Sequence, residues 1–184
     1  MTPEYLAGLF DGEGCIDVQR CYPKKGRNRL YVRPRVRMCM ADNARHVGQG
    51  LHARFGGHLV VRLSGKKNQQ NSWSLEWLSG DSIRRILNLL IPHLILKAEQ
   101  AKLALWWLDN ASGRQIRNTR FGDNACFAGI DQARAAFAEE LRAMKVDPQR
   151  LSERAVERIA SLMRQSDPHG DMGRVAEMAA PLAV

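Results

Sequence analysis

Three arginines at alternate positions give this chain its clearest chemical signal. Arg33, Arg35 and Arg37 follow Tyr31 at every second residue within the predicted strand 30–40. Side chains alternate between the two faces of a strand, so these four share one face. A guanidinium donates paired hydrogen bonds to phosphate oxygens or to guanine O6 and N7. The row therefore indicates a nucleic acid as the ligand.

The distribution of charge supports the same ligand. The chain carries a net charge of +9. Between Gly14 and Lys67 there are 13 basic residues and only two acidic ones, Asp17 and Asp42, whereas residues 101–184 hold 12 basic and 11 acidic residues. A solvated basic surface would be spread more evenly. One segment is thus expected to bind a polyanion.

The elements that position these side chains follow from hydrophobic periodicity and turn residues. Residues 3–12 are predicted to form a helix that ends in glycines, and strands are predicted near 15–22, 30–40, 58–64 and 72–79. Further helices are expected at 42–55, 81–91 and 92–110, and two more at about 125–145 and 151–165. This order predicts an α+β fold, with a four-stranded antiparallel sheet that carries its helices on one face.

Domain boundaries follow from the same pattern. Residues 1–110 are expected to form the αββαββα core and residues 111–165 a C-terminal helical extension. Residues 166–184, rich in Ala with Gly and Pro, are expected to form a flexible tail.

Composition excludes several classes of protein. The longest apolar stretch, 86–96, is interrupted by Asn88, Pro92 and His93 and is shorter than a membrane span. The first residues lack the pattern of a signal peptide, so a soluble protein of the cytoplasm or an organelle matrix is expected. The four cysteines form no C-x-x-C pair, which favours reduced thiols over a zinc site.

The segment Tyr5-Leu6-Ala7-Gly8-Leu9-Phe10-Asp11-Gly12-Glu13-Gly14 closely resembles the signature of the LAGLIDADG homing endonucleases. Seven of the nine signature positions are identical, or conservative if Glu13 stands for Asp. The predicted element order also matches the αββαββα core of that family, over about residues 3–110. The resemblance implies a site-specific DNA endonuclease that hydrolyses both strands of a long, pseudo-palindromic double-stranded site and supports intron homing.

The resemblance places the metal-binding carboxylate at Glu13, with Gly12 beside it at the metal. It implies Mg²⁺, with Mn²⁺ or Ca²⁺ able to bind in its place, because hard cations take oxygen ligands. Such a cation activates water and stabilises the leaving oxygen of a phosphodiester. Lys97 is the second catalytic residue implied, since its ammonium would stabilise charge on the phosphate in the transition state. A merely solvated Lys97 is the alternative.

A third position departs from the family pattern. The family commonly carries a polar residue, often Gln, at the end of the second strand, and alignment by spacing puts Met40 there. Methionine cannot position water through strong hydrogen bonds. A slow enzyme, a substitute such as Asn43, or a protein that has lost cleavage all remain open.

A single copy of the motif implies a homodimer whose two motif helices pair across a two-fold axis. The small Ala7 and Gly8 would let these helices approach closely. Asp11 is expected to steady the helix end and the dimer contact, with a direct catalytic part as the alternative. The expected interface residues are Leu6, Ala7, Gly8, Phe10 and Asp11.

The family's sheet lies in the major groove of DNA, so the arginine face is expected to read bases. Residues on the sheet and its hairpin loops are expected to contact DNA, those on the loops through phosphates. They are Asp17, Gln19, Lys24, Lys25, Arg27, Arg29, Tyr31, Arg33, Arg35, Arg37, Arg62, Lys66, Lys67, Ser72, Ser74 and Glu76. No membrane partner is expected.

A second function remains open on the same fold. The chain could be an intron maturase that binds folded intron RNA, or a DNA-binding protein with weak or lost cleavage. Met40 favours this alternative, whereas Glu13 and Lys97 favour the nuclease.

Overall fold

The computed structural model describes residues 1–21, 31–64, 70–110 and 125–165, apart from the side chains of Arg20, Cys21, Tyr31, residues 125–131 and Gln165. Residues 111–124, at the start of the predicted C-terminal extension, and the predicted tail 166–184 lie outside these ranges.

The described chain contains six α-helices and four strands. The helices are α1 (Pro3–Glu13), α2 (Arg45–Phe55), α3 (Gly80–Leu90), α4 (Ala98–Asn110), α5 (Ala125–Val146) and α6 (Ser152–Gln165). The strands are β1 (Gly14–Cys21), β2 (Tyr31–Ala41), β3 (His58–Arg62) and β4 (Ser72–Trp77). Short 3₁₀ turns occupy Asp42–Ala44 and Ile91–His93. The predicted α+β class and element order are confirmed.

The four strands form one antiparallel sheet in the order β1-β2-β4-β3. On its inner face lie the large apolar side chains of β2 and β4, including Val36, Met38, Trp73 and Trp77, each at most 1% exposed. Helices α1, α2 and α4 pack on this face. Burial of this apolar surface fixes the register, because a one-residue slip would turn each side chain to the other face.

Helix α1 is closed at both ends by short-range contacts. The Thr2 hydroxyl accepts a hydrogen bond from the Tyr5 amide at 3.4 Å. At the other end Gly14 turns the chain directly into β1, and a Cβ there would lie 2.4 Å from the Phe10 ring. The glycine thus lets the buried Phe10 pack under the start of the sheet, next to the end of α1.

Three predicted helix starts differ from the structure. Helix α2 begins at Arg45, after a 3₁₀ turn over Asp42–Ala44, rather than at residue 42. Helix α3 begins at Gly80, one residue before its predicted start, with Ser79 as its cap, whose hydroxyl accepts from the Ser82 amide at 3.2 Å. The helix expected from Pro92 begins only at Ala98, after a 3₁₀ turn and a non-helical stretch over residues 94–97. That stretch is held by a residue distant in sequence, as described below.

The C-terminal helices pack on the core. Trp107 of α4 stacks on Phe137 of α5, with ring centroids 4.3 Å apart. The buried Glu140 of α5 accepts hydrogen bonds from Arg150 and from Arg158 of α6, both at 2.8 Å. These contacts bring the C-terminal part of α5 alongside the edge strand β1.

Candidate functional site

The end of α1 presents an exposed carboxylate. Glu13 is the last residue of the helix and is exposed, and no described residue hydrogen-bonds to its carboxylate. Gly12 is exposed as well, and a Cβ built on it would meet nothing within 4 Å. The carboxylate of Glu13 and the carbonyl of Gly12 are therefore two open oxygen donors.

Asp11, unlike Glu13, binds a distant segment of the chain. Its carboxylate accepts three backbone hydrogen bonds, from the amides of Ile95 at 2.7 Å, Leu96 at 3.1 Å and Lys97 at 3.0 Å. Consecutive amides that converge on one carboxylate form an anion-binding concavity. The sequence suggested that Asp11 steadies a helix end; the contacts show that it holds the segment leading into α4, not the end of its own helix.

Lys97 is thereby held beside the end of α1. It is half-buried, and its ammonium donates to the backbone carbonyl of Asp11. Burial lowers the pKa of Lys97 below its ordinary value, although the carboxylates of Asp11 and Glu13 act in the opposite direction. The structure therefore brings together the two residues that the sequence assigned to catalysis, Glu13 and Lys97.

The donor set suits a hard divalent cation, although one chain supplies only part of a site. Carboxylate and carbonyl oxygens are the ligands that Mg²⁺ and Ca²⁺ take. Among the described residues no group of three or more His, Cys, Asp or Glu side chains could hold a metal ion. Asp11 cannot add a ligand while its carboxylate oxygens accept the three amides. Glu13 and Gly12 fit a cation whose other ligands come from outside the chain.

The outward face of α1 differs from the expected interface. Leu6, Ala7 and Phe10 are at most 3% exposed because they pack in the core of their own chain. The exposed positions of the helix are Glu4, Tyr5, Gly8, Gly12 and Glu13, of which Tyr5, Gly8 and Gly12 share one side at spacings of three and four residues. The surface open to a second copy therefore runs along Tyr5, Gly8 and Gly12 instead of through the three larger motif residues.

A small apolar surface lies next to this helix. Ile95 is 84% exposed and Leu96 is 52% exposed. Their amides bind the Asp11 carboxylate, which puts both residues beside the end of α1. Tyr5, at 59% exposed, lies at the other end of α1. Exposed apolar side chains grouped in this way mark surfaces for protein contacts.

The outer face of the sheet carries the predicted polar row. Register places Asp17 opposite Arg35, Gln19 opposite Arg33 and Arg37 opposite Glu76. The alternation predicted for β2 is confirmed, since Val32, Pro34, Val36 and Met38 are buried on the inner face. We call Asp17, Gln19, Arg33, Arg35 and Arg37 the arginine row.

Members of the arginine row are bonded to one another. Asp17 accepts from Arg35 at 2.7 and 2.9 Å and lies 3.3 Å from an Arg37 nitrogen. Gln19 accepts from Arg33 at 2.7 Å. Burial raises the pKa of Asp17, but the hydrogen bond and charge of Arg35 outweigh it, so the net pKa lies below its usual value. Asp17 is thus ionised at neutral pH.

The other residues predicted to contact DNA differ in their exposure, and some of them lie outside the described residues. Ser72 and Glu76 lie on the outer face and are half-buried, and Arg62 on β3 is exposed beside Ser72. Ser74 shares this face but is 2% exposed, so it cannot reach a base in this arrangement. The remaining predicted contacts, at Lys24, Lys25, Arg27, Arg29, Lys66 and Lys67 and at the side chain of Tyr31, lie outside the described residues.

The predicted position of Met40 is also informative. It pairs with Trp73 and packs against the core, so its side chain lies on the inner face of the sheet. Asn43, the suggested substitute, is exposed in the 3₁₀ turn after β2. The end of β2 presents the exposed Cys39 on the outer face instead.

Sequence reasoning missed Lys145. This exposed residue of α5 lies 3.3 Å from the Cys15 sulfur, and its charge acts on both Asp17 and Lys97. It adds a cation between the end of α1 and the arginine row. No local pattern around Lys145 signals this placement, because it depends on how α5 packs beside β1.

Comparison with solved structures identifies the fold. The homing endonuclease I-CvuI, bound to its target in the presence of calcium, aligns with a TM-score of 0.56 and 20% identity over 87% of this chain and 93% of that chain. The same enzyme on another target in the presence of magnesium, with the DNA uncleaved, aligns at 0.57 and 21% identity over the same shares. The archaeal intron-encoded homing endonuclease I-Vdi141I, complexed with DNA, aligns at 0.54 and 13% identity, over 90% of this chain and 96% of that chain.

These neighbours confirm that the chain has the fold of LAGLIDADG homing endonucleases, as the motif indicated. No protein-family model and no curated protein matches the chain. In the described part of the chain, no helix is long and apolar enough to cross a membrane.

Proposed function

We propose that this chain is a metal-dependent homing endonuclease that, as a homodimer, hydrolyses both strands of a long, pseudo-palindromic DNA site and supports intron mobility. The observation that carries the proposal is the meeting of Glu13 and Lys97 at the end of α1, beside the arginine row. An open carboxylate and a half-buried ammonium next to a basic sheet face suit phosphodiester hydrolysis on bound DNA. The DNA complexes of the structural neighbours support this assignment.

The proposed chemistry divides among three groups. Glu13 and the Gly12 carbonyl would hold a divalent cation such as Mg²⁺, with Mn²⁺ or Ca²⁺ as substitutes. When bound, the cation activates water and stabilises the leaving oxygen. Lys97 donates hydrogen bonds to a phosphate oxygen as negative charge develops there. Because Asp11 and the chain segment 95–97 fix its backbone, Lys97 reaches the phosphate without a large loss of conformational freedom.

A second copy completes the proposed site. Pairing along Tyr5, Gly8 and Gly12 would bring two helix ends, and hence two Glu13 carboxylates, together. Glycines without neighbours at their Cβ positions leave room for another helix. Ile95 and Leu96 would extend the buried area. Each subunit would then cut one strand of a site whose two halves mirror each other.

The decisive experiment is cleavage of a defined DNA. Purified protein is incubated with the intronless form of the gene that harbours its coding intron, with Mg²⁺ or with a chelator. Cleavage of both strands at one site, dependent on the cation, is the expected result. Tight binding to the same DNA without cleavage under any divalent cation would contradict the nuclease assignment.

A maturase is the second candidate, favoured by one observation. The inward packing of Met40 leaves the end of β2 without the polar residue common in the nucleases. If the chain is a maturase, the unspliced intron RNA competes with duplex DNA for binding and splices faster when the protein is present. Competition assays with that RNA and with an unrelated RNA of equal length separate the two functions.

A further inference from the structure

The three arginines of β2 do not project independently into solvent. Arg35 donates its Nε–H to one oxygen of Asp17 at 2.7 Å and an Nη2–H to the other at 2.9 Å. An Nη2 nitrogen of Arg37 lies 3.3 Å from the same second oxygen. The Asp17 side chain is only 16% exposed, compared with 24% for Arg35 and 34% for Arg37. One shielded carboxylate therefore fixes two guanidinium groups.

The position of this carboxylate is specific. Asp17 is the only acidic residue among positions 14–41, and it lies directly opposite Arg35 in the β1–β2 register. Cross-strand neighbours are close enough for direct side-chain bonds. On the same face Gln19 accepts the Nε–H of Arg33 at 2.7 Å. Each arginine of the row thus has a partner on β1.

The geometry of the bonds determines what Arg35 can still do. A guanidinium has two usable edges, one formed by Nε and Nη2 and the other by Nη1 and Nη2. Asp17 occupies the first edge. The second edge can still donate two parallel hydrogen bonds to guanine O6 and N7. The ion pair therefore leaves Arg35 one edge with which to read guanine.

The bonding also changes the energetics of recognition. A free arginine side chain carries about 2 kcal/mol of rotamer entropy, part of which is lost on binding. Holding the side chain beforehand removes much of that loss. The negative charge of Asp17 also reduces the attraction of the arginines for phosphate in general. Both effects favour base readout over non-specific affinity.

We propose that Asp17 is a specificity-determining positioning residue, which orients Arg35 and Arg37 to read guanines in the major groove of each half-site. This inference rests on the DNA-binding part of the proposed function. It gives Asp17 a role in base preference through the two arginines and no base contact of its own.

The first experiment measures base preference without cleavage. A pool of duplex DNA, randomised over both half-sites, is selected for binding to wild-type protein in Ca²⁺, to Asp17→Asn and to the control Asp81→Asn. The control makes the same chemical change at a side chain that is 95% exposed and lies in the first turn of α3, outside the sheet. Anisotropy with the selected duplex and its single-base variants, at one fixed salt concentration, gives the dissociation constants.

The expected result is a wild-type preference for guanine at two positions of each half-site. Asp17→Asn reduces that preference about 10-fold while its affinity for a random duplex is unchanged or higher. Asp81→Asn retains the full preference. The inference would be overturned if Asp17→Asn weakened binding equally on every sequence. It would also be overturned if Asp17→Asn changed the preference only at a cytosine position, because Asp17 would then contact a base itself.

A double-mutant cycle tests whether Asp17 acts through Arg35. In an Arg35→Gln background, Asp17→Asn should cause no further loss at the guanine assigned to Arg35, while its effect at the other guanine persists. Additive losses at the first guanine would contradict the inference. Thermal unfolding of each variant identifies a folding defect, and Asp17→Ser serves as the second variant if the asparagine protein is unstable.

The outcomes separate this inference from the proposed function. A wild-type protein that binds no duplex overturns both the DNA-binding function and the role of Asp17. A wild-type protein that binds duplex without guanine preference overturns the role of Asp17 alone.

Discussion

Asp11 and Asp17 lie six residues apart in sequence and use the same carboxylate group in opposite ways. Asp11 accepts from three backbone amides of a segment 84 to 86 residues away, and so fixes the course of the chain that carries Lys97. Asp17 accepts from the side chains of its strand neighbours and so fixes the direction of guanidinium groups. Asp11 thus positions part of the proposed catalytic site, and Asp17 positions side chains of the proposed DNA-binding surface.

This difference has a testable consequence. Changes at the end of α1 should alter the rate of cleavage and leave DNA affinity nearly intact. Changes in the arginine row should alter affinity and base preference instead. A variant from one region that behaves like the other would show that the two tasks are not separated as the contacts indicate.

The largest effect is expected for Glu13→Gln. Loss of the carboxylate removes the proposed cation ligand, so the single-turnover cleavage rate should fall by at least about 1000-fold, with DNA binding changed less than about threefold. The matched control is Glu153→Gln, on the exposed face of α6, which should cut at the wild-type rate. Persistent cleavage by Glu13→Gln would place the metal site elsewhere.

Lys97→Met should lower the same rate about 100-fold, because the ammonium that stabilises charge on the phosphate is lost. The control Lys102→Met removes a lysine five residues along, whose ion pair with Glu99 lies outside the site. Its cleavage rate should stay within a factor of about two, because this half-buried pair joins Ser152 of α6 and not the end of α1. Equal defects in the two variants would make Lys97 an ordinary structural lysine.

Asp11→Asn should have a smaller effect, about 10-fold on the cleavage rate. The amide oxygen cannot replace both carboxylate oxygens, which leaves an amide of the segment 95–97 without its acceptor. Hydrogen exchange should increase in a peptide that covers this segment and stay unchanged on β2. In a Lys97→Met background, Asp11→Asn should add little; full additivity would mean that Asp11 does not act through Lys97.

Gly8→Ala tests the outward face of α1. A Cβ at Gly8 meets nothing within 4 Å among the described residues, so alanine should stabilise the isolated subunit by about 0.5–1 kcal/mol. In a closely packed dimer the same methyl group is too large, and the dimer dissociation constant should rise about fivefold. Gly50→Ala on α2, equally open, is the control. Sedimentation that shows an unaltered dimer, or a monomeric wild type on DNA, would contradict this interface.

The smallest effect concerns pH. The pKa of folded Asp17 lies below its ordinary value, so its ion pair stabilises the protein above the unfolded pKa and this contribution disappears as the pH falls through the folded pKa. Urea unfolding of wild type and Asp17→Asn should differ by about 1 kcal/mol at pH 6, with the difference shrinking below about pH 4. A difference that persists at the lowest pH would mean that the carboxylate charge is not its source.

The sequence predicted what depends on local periodicity. The alternation of β2 placed Arg33, Arg35 and Arg37 on one face because a strand has a period of two wherever it lies in the fold. The motif likewise identified Glu13. The glycines that end α1 could be recognised from the local sequence, without contacts from the rest of the chain.

What the sequence could not show depends on contacts between distant segments. The late start of α4 has its cause in Asp11, which lies more than 80 residues away. Leu6, Ala7 and Phe10 belong to the motif but are buried by their own sheet and helices, which a single helix pattern cannot reveal. Lys145 reaches the site only because α5 packs beside β1.

The bonds from Asp11 to residues 95–97 also set an order for the growth of the protein on the ribosome. All four strands of the sheet are complete by residue 77, whereas Lys97 and the amides that Asp11 binds are synthesised later. A chain stopped between these points holds the strands of the proposed recognition surface without the segment that Asp11 fixes. Contacts of such long separation form late in folding. The proposed cleavage site is therefore completed after the surface proposed to select the DNA.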